Sequence, residues 1–185
     1  MHSKQQRTFG DVKPENIMMV GRTIKCVDWS SSRVEGQEAV EGAPTTLGYL
    51  SPEATAPGHP KCPSCPLGRH KDDVHAVGVM GLLFLSVEGK MPFGPSKGQW
   101  ERVQRDPTPL QEVRKSVISN HKAWAAYTGA ADEEWPSAFS HLLRVVPEGS
   151  QRGKAKSLFA GLLHPIPADR LTATQAFEHS FVKQS

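Results

Sequence analysis

Asp11-Val12-Lys13-Pro14-Glu15-Asn16 puts an Asp, a Lys and an Asn within one short loop, and Asp28-Trp29-Ser30 follows after eleven intervening residues. Those eleven read as a hairpin. Ile17-Met18-Met19-Val20 is an apolar run, Gly21-Arg22 a turn, and Thr23-Ile24-Lys25-Cys26-Val27 alternates behind it. A tight hairpin brings its two ends together, so Asp28 can converge with Asp11, Lys13 and Asn16. That set suits phosphoryl transfer. One carboxylate can accept a hydroxyl proton, and a Lys can neutralise charge on the moving phosphoryl group. An Asn and a second Asp are oxygen ligands for Mg²⁺.

The composition is compatible with such a site and excludes several others. The chain has 185 residues, enough for one domain with a real core. Apolar residues at 37% and charged residues at 22% fit a globular protein rather than a disordered one. A net charge of +3 is too small to call for a nucleic-acid partner. Three Cys cannot make a paired disulfide framework. Residues 1–7 are polar and basic with no apolar run behind them, so no secretory signal is read. No uninterrupted apolar stretch of about 18 residues exists, so no membrane span is expected. A cytoplasmic or nuclear protein is expected.

Residues 30–61 are poor in apolar periodicity and read as one long loop. Asp72 and Asp73 then open a helix in which Val74, Val77, Val79, Met80, Leu82, Leu83, Phe84, Leu85 and Val87 cover nearly every face. With Gly89 closing it and Pro92 beyond, it is the expected core helix. Leu110, Val113, Val117 and Ile118 fall at helical spacing, as do Trp135, Ala138, Phe139, Leu142, Leu143 and Val146. Residues 147–153 read as a loop and 157–163 as a short apolar helix. Thr172 and Gln175 have the spacing of a capping box before a last helix. The expected fold is mainly α with one short β-hairpin.

The motifs resemble those of the eukaryotic protein kinases, in order along the chain. Asp11 to Asn16 resembles their catalytic loop, and Asp28-Trp29-Ser30 their metal-binding D-F-G. Thr46-Leu47-Gly48-Tyr49-Leu50-Ser51-Pro52-Glu53 resembles the substrate loop that ends in A-P-E. Asp73 is similar to the Asp that opens the family's large central helix, and Gly89-Lys90-Met91-Pro92-Phe93 to the G-x-x-P-F after it. Leu162 to Ala173 resembles the late L-L-x-x-D-P-x-x-R-x-T-A segment, and His179-Ser180-Phe181 the H-P-F ending.

The resemblance implies a partial protein kinase domain over residues 1–185, a C-lobe from the catalytic loop onward with the N-lobe absent. No Gly-rich phosphate loop and no V-A-I-K-type lysine is found. It implies roles. Asp11 would be the catalytic base, Lys13 would contact the transferred phosphate, and Asn16 and Asp28 would hold magnesium. Thr46 would hydrogen-bond near Asp11 and Lys13 in the substrate loop. Glu53 and Arg170 would form an internal ion pair, and Asp73 would brace the catalytic-loop backbone. The implied cofactors are ATP and Mg²⁺, the implied partner a protein substrate, and Lys13 marks the Ser/Thr type. The expected function is a Ser/Thr protein kinase, here as a truncated catalytic domain that is inactive alone. The alternative is a non-catalytic, kinase-like interaction module, a pseudokinase.

The departures are local. Phe9-Gly10 stands where the family has His-Arg, which removes the usual partner of a phosphorylated activation loop. Ser30 replaces a Gly, Thr45 a Gly, His75 a Trp, and His164 an Asp. Insertions are expected near 54–72 and 104–152. The first carries His59, Cys62, Cys65 and His70, read as a Pro-rich surface loop without stoichiometric zinc. The second is read as helices packed on the lobe. An uncovered apolar patch is expected beside Phe9 and Trp29.

Overall fold

The computed structural model describes residues 7–34, 46–55, 70–86, 91–93, 110–128, 146 and 149–183. Strand β1 (Arg7–Thr8) pairs antiparallel with β4 (Arg33–Val34), and β2 (Ile17–Val20) with β3 (Thr23–Cys26). The expected hairpin is therefore present, with Ile17 opposite Cys26 and Val20 opposite Thr23. Among the described residues five helices follow: α1 (Pro52–Thr55), α2 (His70–Phe84), α3 (Leu110–Thr128), α4 (Ser150–Leu162) and α5 (Ala173–Glu178). Among the described residues the fold is mainly helical, and no helix is long and apolar enough to cross a membrane.

The core is built where α2 packs on α4. Val74, Val79 and Leu82 of α2 meet Ala155, Leu158, Phe159 and Leu162 of α4, and Trp124 of α3 and Phe93 close the cluster. Gly81 makes the approach possible, because a Cβ there would lie 2.7 Å from the Phe159 ring. A second, smaller cluster holds Phe9, Val12 and Ala76. At the end of the chain Thr172 accepts from the Gln175 amide while the Gln175 side chain accepts from the Thr172 amide, the capping box in full.

Several expectations are corrected. Helix α2 is not covered on nearly every face: Val74, Val79 and Leu82 are buried in the α4 cluster and Ala76 in the Phe9 cluster, whereas Val77 and Phe84 are exposed. The stretch 30–61 is not a plain loop. Its described part holds β4, a 3₁₀ turn at Leu47–Tyr49 and α1. Residues 147–153 are not all loop either. The stripe Ala155, Leu158, Phe159 and Leu162 nucleates α4, which extends back to Ser150, while Arg152 donates to the Val146 carbonyl from Nε (3.0 Å) and Nη2 (2.8 Å). The hairpin is joined by a second two-stranded ladder. Phe9 is 2% exposed, so it forms no surface patch; the exposed apolar side chains nearby are Trp29, Met18, Met19, Val20 and Ile24. The readings at Gly89, His59, Cys62, Cys65 and 135–143 lie outside the described residues.

Candidate functional site

The loop before the hairpin is shaped by Pro14, which opens a 3₁₀ turn over Pro14–Asn16 and leaves Asn16 buried at the foot of β2. Asn16 Nδ2 donates to the Asp11 carbonyl (2.9 Å) and to Asp11 Oδ2 (3.0 Å). Both hydrogens of the amide are thus spent inward, and its Oδ1 is left as an acceptor. Lys13 Nζ lies 2.6 Å from Asp11 Oδ2 and donates to Thr46 Oγ1 at 3.2 Å. Thr46 Oγ1 is in turn 3.4 Å from Asp11 Oδ1. The structure therefore brings Asp11, Lys13, Asn16 and Thr46 into one hydrogen-bonded group across 35 residues of sequence.

The hairpin register decides where Asp28 falls. The Val27 amide donates to the Asn16 carbonyl at 2.9 Å, so the two ends of the ladder lie side by side. Asp28 follows at once with φ 59°, a left-handed backbone that Asp tolerates better than most residues. Its Oδ1 accepts from Ser30 Oγ (2.6 Å) and the Ser30 amide (3.2 Å). These two bonds hold the exposed carboxyl below its ordinary pKa, and the Lys13 charge adds to the effect. Ser30 thus takes over part of the orientation that sequence reasoning treated only as a loss of backbone freedom. Asn16 Oδ1 and the Asp28 carboxylate are hard oxygen donors. Such a pair fits Mg²⁺, which is commonly held by one or two carboxylates with phosphates and water completing the shell.

Asp73 holds this loop in place from α2. Its Oδ2 accepts from the Phe9 amide at 2.7 Å and its Oδ1 from the Gly10 amide at 2.9 Å. Gly10 has φ 84°, and a Cβ on it would sit 2.5 Å from the Ser31 carbonyl oxygen, which accounts for glycine where the family has Arg. Phe9 meets Trp29 edge to face, with centroids 5.1 Å apart, so the aromatic at 29 is tied to the loop it follows.

Behind the Thr46 segment, Arg170 donates from Nη1 to Glu53 Oε1 (2.7 Å) and from Nη2 to Glu53 Oε2 (3.0 Å). It also donates to the carbonyls of Lys71 and His164, both at 2.9 Å, and is 1% exposed. A shallow cleft between these two regions is lined by Asp11, Thr46, Tyr49, Ser51, Asp72 and Asp73. Sequence reasoning took Asp72 only as a helix-start residue. The signal was its neighbour: consecutive helical residues point about 100° apart, so of two adjacent Asp only one can face the Phe9-Gly10 backbone. His75 and His121 were also missed as a pair. They are buried with ring centroids 5.4 Å apart, and burial drives His75 well below the ordinary histidine range and His121 to about 4.

The family model of the protein kinase domain matches residues 1–182. The match spans both the Asp11 loop and the Arg170 anchor, so nearly all of the chain is accounted for by that family's pattern. The chain belongs to the protein kinase domain family.

Proposed function

We propose that the chain transfers the γ-phosphoryl group of ATP to Ser or Thr hydroxyls of a protein substrate, with Mg²⁺ as cofactor. The observation that carries the reading is Lys13 Nζ lying between Asp11 Oδ2 and Thr46 Oγ1. In that position one cation can meet the moving phosphoryl group while its carboxylate neighbour accepts the hydroxyl proton. Asp11 takes that proton as the new O–P bond forms and the bond to the departing ADP breaks. Thr46 and Lys13 hold the acceptor side. Asn16 and Asp28 are the residues that would hold magnesium, which supplies charge neutralisation on the phosphates when bound. Lys13 at this place in the loop supports the Ser/Thr type.

The 185 residues contain no Gly-rich phosphate loop and no V-A-I-K lysine. We propose that those nucleotide-holding parts are supplied from outside them, and that the described chain is the large-lobe side of the site. The exposed Met18, Met19, Val20 and Ile24 on the hairpin support that reading. The test is radiolabel transfer to Ser/Thr peptides by the 185-residue chain alone and by the same chain joined to a kinase nucleotide-binding lobe. Negligible transfer is expected from the first and robust transfer from the second. In the joined protein Asp11→Asn should lower the rate by about 10²–10⁴-fold. A joined protein that binds ATP yet stays inert would favour the second reading, a non-catalytic interaction module.

A further inference from the structure

Ser30 stands where the family has Gly, and it supplies a side chain that Gly cannot. Its Oγ donates to Asp28 Oδ1 at 2.6 Å, and its amide donates to the same oxygen at 3.2 Å. An ionised carboxylate has about four lone-pair sites, shared equally between its oxygens. Oδ1 is therefore filled, and by Ser30 alone. Oδ2 accepts no hydrogen bond among the described residues. Asn16 is restricted too. Its Nδ2 hydrogens go to the Asp11 carbonyl and to Asp11 Oδ2, which leaves only its own Oδ1 as an acceptor. The site thus offers a cation a single oxygen from Asn16 and a single free oxygen from Asp28.

That count of oxygens bears on which cation fits. Mg²⁺ demands a near-ideal octahedron of ligands at about 2.0–2.1 Å. The two oxygens of one carboxylate lie too close together to span an octahedral edge of that size, so single-oxygen ligation suits it. Ca²⁺ takes about six to eight oxygens at about 2.3–2.6 Å in a flexible shell, and it readily accepts both oxygens of a carboxylate. To chelate Ca²⁺ in that way, Asp28 would have to give up a charge-assisted bond of 2.6 Å. We propose that Ser30 is a positioning residue that sets cation selectivity: by occupying Asp28 Oδ1 it restricts Asp28 to single-oxygen ligation and favours Mg²⁺ over Ca²⁺. The assignment of Asp28 as a metal ligand rests on the kinase reading, and the role of Ser30 is added to it. The hydroxyl is the part that sequence can change, since any residue but Pro at this position retains the amide donor.

NMR on the 185-residue chain tests this without measuring phosphate transfer. MgCl2 and CaCl2 are titrated separately at constant ionic strength. The side-chain carboxyl carbon of Asp28 is followed, with exposed Asp169 as the control for non-specific association. In the wild type Mg²⁺ should reach its midpoint at the lower concentration. Ser30→Ala should shift the ratio of the two midpoints toward Ca²⁺ by about two- to tenfold, the range of one hydrogen bond. Ser30→Thr restores a hydroxyl and should restore the wild-type ratio. Ser30 is exposed and does not have a positive φ, so both replacements fit its backbone. An unchanged ratio in Ser30→Ala would overturn the role of Ser30 and leave the metal assignment standing, as would a wild type that prefers Ca²⁺ or a Thr variant that behaves like Ala. An Asp28 signal moved by neither cation, or moved no more than that of Asp169, would overturn the metal assignment itself and the proposal with it.

Discussion

The two ends of α2 are held by different physics. Toward its C-terminal end Val79 and Leu82 are fully buried against α4 and Trp124, in contacts that have no direction. In its first turns Lys71, Asp72 and Asp73 each bond to a segment far away in sequence: Arg170, Ser51 and the Phe9-Gly10 backbone. One end stabilises the helix in place by area removed from water. The other uses the helix as a rigid post for a polar site, where each bond has one partner and one geometry. The apolar end should therefore forgive changes of shape and punish loss of volume. The polar end should punish loss of any single partner.

The largest break is expected at Arg170→Ala. It strands the mostly buried Glu53 carboxylate and should cost about 3–5 kcal/mol in a urea denaturation series. A loss under about 1 kcal/mol would show the pair to behave as a surface bridge. Leu82→Ala should come next, at about 2–5 kcal/mol for a fully buried Leu, whereas Leu82→Met should cost less than about 1.5 kcal/mol. Equal losses in the two Leu82 variants would erase the contrast between the ends. The smallest effect belongs to a site remote from both. Thr172→Ala removes the exposed capping box of α5 and should cost about 1 kcal/mol, read as a shift in thermal midpoint.

How far the site could be read from sequence depended on distance along the chain. The Asp11 loop and the hairpin are local. Pro14 sets the turn, alternation sets the strands, and their register delivers Asp28 beside Asn16. The Thr172 box was equally legible, since its two bonds span three residues. The assignment of α2 as a helix was sound, but its exposed Val77 and Phe84 were not foreseeable, because hydrophobicity does not tell which faces find a partner. The start of α4 was missed because its first turn is polar and carried only by the stripe behind it.

The sequence by itself therefore determined a mainly helical domain, a hairpin that closes a polar loop, and the order of motifs that places the chain among the protein kinase domains. Only the tertiary structure decided what the charged residues do to one another. Arg170 reaches Glu53 across 117 residues, and Asp73 reaches the Phe9 amide across 64. Asp72 and Asp73 look alike in the sequence. One accepts two backbone amides and the other meets a second carboxyl, and the pKa of Asp72 is pushed to about 7 by that burial and that neighbour. The physical reason is that desolvation and Coulomb interactions act through space, and no local pattern records which distant segment will supply them.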